Sequence, residues 1–178
     1  MKRASKSAAK LVILENGDPI CAETEAIQSR IRQRAFEISQ ARPIDVQSLY
    51  DWMTAESEVI SVPPMELVEK NGSFEVKFAV AGVNPDDMNV MVTPNQILLK
   101  SEYSHQHDRE TGTVHLCDFK SATVFRSVDL PQPVDVNSVR LNFANGILLV
   151  SALKQGAEQK GPKRIRKTPA KKSKAKQP

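Results

Sequence analysis

The stretch Val139-Arg140-Leu141-Asn142-Phe143-Ala144-Asn145-Gly146-Ile147-Leu148-Leu149-Val150-Ser151-Ala152-Leu153 decides how this chain folds. Its first part alternates, with Val139, Leu141 and Phe143 separated by Arg140 and Asn142. A period of two puts the apolar side chains on one face of a strand. Asn145-Gly146 then supplies two residues that tolerate the positive φ a type I′ hairpin turn demands. From Ile147 to Leu153 the run is almost continuously apolar, which predicts a strand covered on both faces.

The same period recurs upstream. Phe74, Val76, Phe78 and Val80 alternate with Glu75, Lys77 and Ala79, behind a second hairpin signal at Asn71-Gly72. Val90 and Val92 flank Met91, and Ile97 and Leu99 precede Glu102. Val124, Arg126, Val128 and Leu130 alternate with Phe125, Ser127 and Asp129. Gly82, Pro85, Pro94, Gly112, Pro131 and Pro133 fall between these runs. Many short strands with no helical crossover predict an all-β protein body over 63–153, an immunoglobulin-like antiparallel β-sandwich.

The chain on either side reads differently. Residues 1–22 show no sustained period and are expected to be a flexible arm. Over 23–62 the period changes to that of a helix. Ile27, Ile31, Ala35 and Ile38 form one stripe, with Thr24 as N-cap and Pro43 as stop. A second helix is expected from Asp45 to about Ile60, with Val46, Leu49, Trp52 and Met53 apolar, before Pro63-Pro64. Residues 154–178 hold Lys, Ala and Pro with Ile165 as the one large apolar residue, so a disordered basic tail is expected.

Composition bounds the function. The chain has 178 residues, 40% hydrophobic and 26% charged, enough for one core with arms. Aromatic content of 5% disfavours a base-stacking surface. The net charge of +4 hides an asymmetry: residues 160–178 carry nine Lys/Arg and no acid, whereas 11–159 sit near −9. Leu11-Val12-Ile13-Leu14 is too short for a secretory apolar region of about 7–15 residues. With no spanning segment and only Cys21 and Cys117, a cytoplasmic protein with reduced thiols is expected.

Chemistry-bearing patterns are sparse. His105, His107, His115 and Cys117 make a His-x-His…His-x-Cys spacing that a zinc or copper ion could use. The spacing matches structural zinc sites loosely, and a polar loop around 104–113 accounts for the first two, so no metal is expected. Ser, His and Asp occur, but without a nucleophile elbow, metalloprotease helix or phosphate loop. No enzyme activity and no cofactor are expected. The basic tail could contact nucleic-acid phosphates with strong salt dependence. A solubilising tail is the favoured reading, since no base-reading residue accompanies the charge.

Four segments taken together resemble a known family. Phe74-Glu-Val-Lys-Phe-Ala-Val-Ala-Gly82-Val-Asn-Pro85-Asp-Asp87 is similar to the opening strand and acidic turn of the α-crystallin domain of bacterial small heat shock proteins. Ile97-Leu-Leu-Lys-Ser-Glu102 resembles its Leu-x-Ile-x-Gly-Glu strand, with Ser101 in the Gly place. Arg126-Ser-Val-Asp-Leu-Pro131 resembles its Arg-x-Phe-x-Leu-Pro, with Val128 for Phe. Leu141-Asn-Phe-Ala-Asn145-Gly146-Ile-Leu148 resembles its Ala-x-x-x-Asn-Gly-x-Leu signature, with Leu141 for Ala. The segment from Ile31 to Glu56 resembles a short bacterial helical domain of unknown function.

The resemblance implies an ATP-independent holdase that binds unfolded or partly folded proteins and assembles with copies of itself. Client contacts are expected at the helix stripes, Ile27, Ile31, Ile38, Leu49, Trp52 and Met53. Ile97, Leu99, Leu141 and Phe143 would line a groove that receives a neighbour's tail. Val114, Leu116 and Phe119, within the excursion Ser104 to Thr123, would form a strand exchanged in a dimer. The family's tail carries Ile-x-Ile, whereas this chain has Ile165 with Lys167 where the second Ile belongs. An unpaired ammonium is poorly tolerated in an apolar pocket, so Ile165 is expected to be a weak anchor. Two other readings stand beside this one: a sandwich scaffold or co-chaperone docking one specific partner, and nucleic-acid association through the tail.

Overall fold

The structure, a computed structural model, describes residues 9–41, 48–103, 113, 115–116 and 122–156. Nine strands and two helices follow in the order β1 (Lys10–Ile13), α1 (Asp18–Gln40), α2 (Ser48–Val59), β2 (Ile60–Ser61), β3 (Met65–Lys70), β4 (Ser73–Ala79), β5 (Met88–Val92), β6 (Gln96–Tyr103), β7 (Ala122–Asp129), β8 (Arg140–Ala144) and β9 (Ile147–Leu153). They form a sandwich of two sheets, β1-β5-β6-β7-β2 and β3-β4-β9-β8. The expected all-β sandwich with an N-terminal helical segment is therefore present.

Period two builds the interior. Phe74, Val76 and Phe78 of β4 sit opposite Ala152, Val150 and Leu148 of β9, all inward and buried. Across the sandwich they meet Met88, Val90 and Val92 of β5, Ile97 and Leu99 of β6, and Val124 and Val128 of β7. Both hairpin signals turn as the dipeptides require: Asn71 and Gly72 have φ of 29° and 87°, Asn145 and Gly146 of 52° and 75°. Ion pairs lace the exposed side of β3 and β4, with Lys77 2.6 Å from Glu66 and Lys70 2.5 Å from Glu75. The hydrogen bond and then the charge of Lys77 hold the Glu66 carboxyl below its ordinary range.

Several expectations need correcting. The segment 1–22 is not an arm throughout: Lys10–Ile13 is a strand parallel to β5, and α1 begins at Asp18. The start lies earlier than Thr24 because Pro19 suits the first turn, where no amide partner is needed. The Thr24 hydroxyl instead donates back to the Ile20 carbonyl at 2.9 Å. Ile60 is not helical but pairs with Thr123 in the short parallel strand β2. Ala122 and Thr123, read as part of the long excursion, already belong to β7. Asp45 and Val46 lie outside the described residues, as does the tail beyond Gly156.

β6, together with part of β7, is covered on both faces, and β9 is not. Ile97, Leu98 and Leu99 are all buried. On β9 only Leu148, Val150 and Ala152 are buried, while Ile147 is exposed and Leu149 and Leu153 are half-buried. The helices cause the difference, because they pack on the first sheet and leave the outer face of the second to water.

Two outcomes test this description. Alanine at positive φ costs about 1–2 kcal/mol. At Gly146 its Cβ would also lie 2.9 Å from the Ala81 Cβ, whereas at Gly82 nothing lies within 4 Å. Thermal unfolding should therefore show a clearly larger loss for Gly146→Ala than for Gly82→Ala; equal losses would refute the close approach at Ala81. In Lys77→Met, the Glu66 titration followed by NMR should move to higher pH. Because the folded carboxyl is depressed, the stability that this pair contributes is present above the unfolded carboxyl's pKa. It is lost as pH falls through the folded value.

Candidate functional site

The helices form an antiparallel hairpin, with Arg34 opposite Glu58 and Ser39 beside Trp52. One stripe of α1 docks it on the outer face of the first sheet. Ile20, Ile27 and Ile31, spaced at seven and four residues, pack with Ala55 of α2 against Leu98 and Phe125. Each such buried side chain contributes about 1.5–3 kcal/mol. Leu98 and Phe125 are available because alternation points them away from the sandwich interior.

Polar latches flank this contact. Lys100 of β6 lies 2.7 Å from Glu23 of α1. Arg30 donates to the Thr123 hydroxyl at 3.0 Å, and that hydroxyl donates to Glu102 at 2.9 Å. Within the hairpin Arg34 meets Glu58 at 2.6 Å and Glu37 at 3.0 Å. Those bonds, Glu58 foremost, raise the guanidinium pKa further. These pairs are mostly exposed, so they orient the hairpin more than they hold it.

The six helix residues expected to act together are divided by this packing. Ile27 and Ile31 are buried beneath the hairpin, so they are structural in the docked state. Ile38 and Trp52 are partly buried beside them. Leu49 and Met53 remain open to solvent. Two residues not singled out by the stripe join them, Phe36 and Tyr50, all four being 59–67% exposed. Phe36 escapes periodicity because it sits off the Ile27–Ile31 line. A shallow cleft of about 270 Å³ between the helices is lined by Arg32, Ala35, Phe36, Ser39, Asp51 and Trp52. The tip-side half of the hairpin thus carries four large apolar side chains open to solvent.

The expected groove is also altered. Ile97 and Leu99 cannot line an edge, because β6 is paired on both sides and these side chains are fully buried. Leu141 and Phe143 are half-buried on β8, which does end its sheet. The strand that would end the first sheet is β5, and β1 lies along it. Of the exchanged strand, Leu116 is described and is 82% exposed. Val114 and Phe119 lie outside the described residues, as do Ile165 and Lys167. So do His105, His107 and Cys117, while His115 is exposed. Among the described residues no group of His, Cys, Asp or Glu is placed to hold a metal ion. Cys21 is free and exposed, and no described helix is long and apolar enough to cross a membrane.

Known proteins show which family this sequence falls in. Residues 66–167 match the Hsp20/alpha crystallin family, and the chain belongs to it. Alpha-crystallin of Mycobacterium tuberculosis is 32% identical over 101 residues, spanning 56% of this chain and 67% of that protein. Small heat shock protein C4 of Rickettsia felis is 22% identical over 117 residues, spanning 66% and 71%. Among solved structures, heat shock protein 16.0 from Schizosaccharomyces pombe is similar, with a TM-score of 0.49, 19% identity, and coverage of 66% of this chain and 99% of that one. The family is one of chaperones that are not enzymes, and this chain takes a chaperone role in that general sense.

The docking described here is open to measurement. Ile31→Asp buries an unpaired charge beneath the hairpin. Hydrogen exchange in α1 should accelerate about tenfold or more, while amides of β4 and β9 keep their protection. Unchanged protection in α1 would show that this stripe does not carry the contact.

Proposed function

We propose that the protein is an ATP-independent holdase that captures non-native proteins through the open half of its helical hairpin. The observation that carries this reading is the group Phe36, Leu49, Tyr50 and Met53, large apolar side chains left in water. Scattered apolar residues on a surface mean little, but several grouped on one supersecondary element favour a binding role. Non-native chains expose apolar segments and strand edges. A protein that binds that state lowers the free concentration of aggregating species by mass action alone, with no chemical step. Aromatic and methionine side chains suit varied clients, since thioether and ring contacts adapt to differing shapes. A docked hairpin displays this surface while keeping Leu98 and Phe125 covered, so undocking would enlarge the apolar area.

The test is heat aggregation of an unrelated enzyme followed by light scattering. Near-stoichiometric protein should suppress scattering equally with and without ATP. The combined variant Phe36→Ser, Leu49→Ser and Met53→Ser should lose most of this capacity while unfolding at the same temperature, since all three side chains are exposed. A variant as active as the parent would remove the hairpin from the mechanism. No suppression by the parent protein would overturn the holdase reading itself.

A further inference from the structure

Three arginines stand at alternate positions of α1, and their surroundings differ. Arg30 meets Glu102 and the Thr123 hydroxyl, and Arg34 meets Glu58 and Glu37. Arg32 is exposed, and among the described residues its side chain reaches only the neutral Gln28 Oε1, at 3.4 Å. It also lines the cleft between the helices. A positive charge is therefore left open at the rim of an apolar hollow.

The hollow follows from the sequence of α1. Arg32, Ala35, Phe36 and Ser39 recur at three- and four-residue spacing, so they share one face. Ala35 keeps that face low between larger neighbours, and Trp52 of α2 supplies the opposite wall. Asp51 is the other charged residue of the cleft. It is 4% exposed and lies in the first turn of α2, where helix amides favour a carboxylate. The carboxylate is accommodated by its own helix, whereas the guanidinium forms no ion pair among the described residues. At about 270 Å³ the cleft is smaller than sites for drug-sized molecules, which run from about 300 to 1,000 Å³. Its capacity suits one large side chain.

We infer, resting on the holdase reading, that this cleft selects among clients: it takes one aromatic side chain of a non-native segment and prefers a carboxylate next to it. The rings of Phe36 and Trp52 offer offset and edge-to-face contacts that an aliphatic side chain lacks. A guanidinium stacks on aromatic faces and also forks onto a carboxylate, so Arg32 serves both parts of such a segment. A lysine or arginine beside the aromatic would instead meet a like charge. Leu49, Tyr50 and Met53 lie beside Trp52 in α2 and are open to apolar residues further along the same segment.

Trp52 is the one tryptophan of the chain, so its fluorescence reports the cleft directly. The full-length protein is titrated at low salt with a terminally blocked peptide, Gly-Ser-Asp-Phe-Asp-Ser-Gly, and with its Lys-Phe-Lys and Asp-Ala-Asp counterparts. The Asp-Phe-Asp peptide should shift Trp52 emission saturably and bind about tenfold tighter than Lys-Phe-Lys, with the gap closing as salt rises. Asp-Ala-Asp should give no shift. Arg32→Gln should erase the preference, whereas Arg30→Gln, which removes the same charge elsewhere on α1, should keep it. Equal affinity for the two charged peptides, or tighter binding of Lys-Phe-Lys, would overturn this selectivity. So would equal loss of preference in both variants, which would assign it to the charge of the whole chain. Trp52 emission that moves with protein concentration alone would give the cleft to a second copy. No Trp52 response beside intact suppression of client aggregation would remove the cleft and leave the holdase reading standing. Saturable, acid-preferring binding without suppression would do the reverse.

Discussion

Burial of β6 on both faces is the constraint on which the rest of this structure depends. Ile97 and Leu99 close the sandwich interior, while Leu98, one residue out of phase, must find cover on the other side. A strand of period two cannot satisfy three consecutive large apolar residues with a single core. Two cores result, one between the sheets and one beneath the helices. The hairpin is therefore a third layer, required by Leu98 and Phe125 as much as by its own isoleucines.

That requirement shapes the surface available for function. Ile20, Ile27 and Ile31 are consumed in docking, so the helices reach water with a different set of apolar residues, those toward the tip. The split assigns stability to one half of the hairpin and the proposed capture of clients to the other. It also couples them, since loosening the stripe would add the second core to the exposed area. The polar latches at Glu23–Lys100 and Arg30–Thr123–Glu102 sit at the margin of that core and orient α1 across β6 and β7.

The edges follow a similar logic. Both ends of the first sheet are covered by short parallel strands from the N-terminal region, β1 on β5 and β2 on β7. β2 covers only two residues of an eight-residue strand. Such covers blunt an aggregation-prone edge, yet four and two residues are little to hold.

How much of this was legible in the sequence depends on the range of the interaction. Alternation in Phe74–Val80 and Val139–Phe143, with Asn-Gly at both hairpins, set out the sandwich because side-chain period and positive φ are local properties. The stripe Ile27–Ile31–Ile38 was legible for the same reason, and four ordered motifs carried the family resemblance. Which apolar residues meet water was not legible. Ile147–Leu153 reads as doubly covered and is not, while Ile97–Leu99 is, because only tertiary packing decides which sheet receives the helices. β1 was invisible: Lys10–Ile13 has no period of its own and becomes a strand only because β5 offers an unpaired ladder. The sequence by itself determined the strands, their turns and the amphipathic helices, all written in neighbouring residues. Only the tertiary structure decided which faces were covered and which edges were closed, since both depend on partners about 40 to 105 residues away.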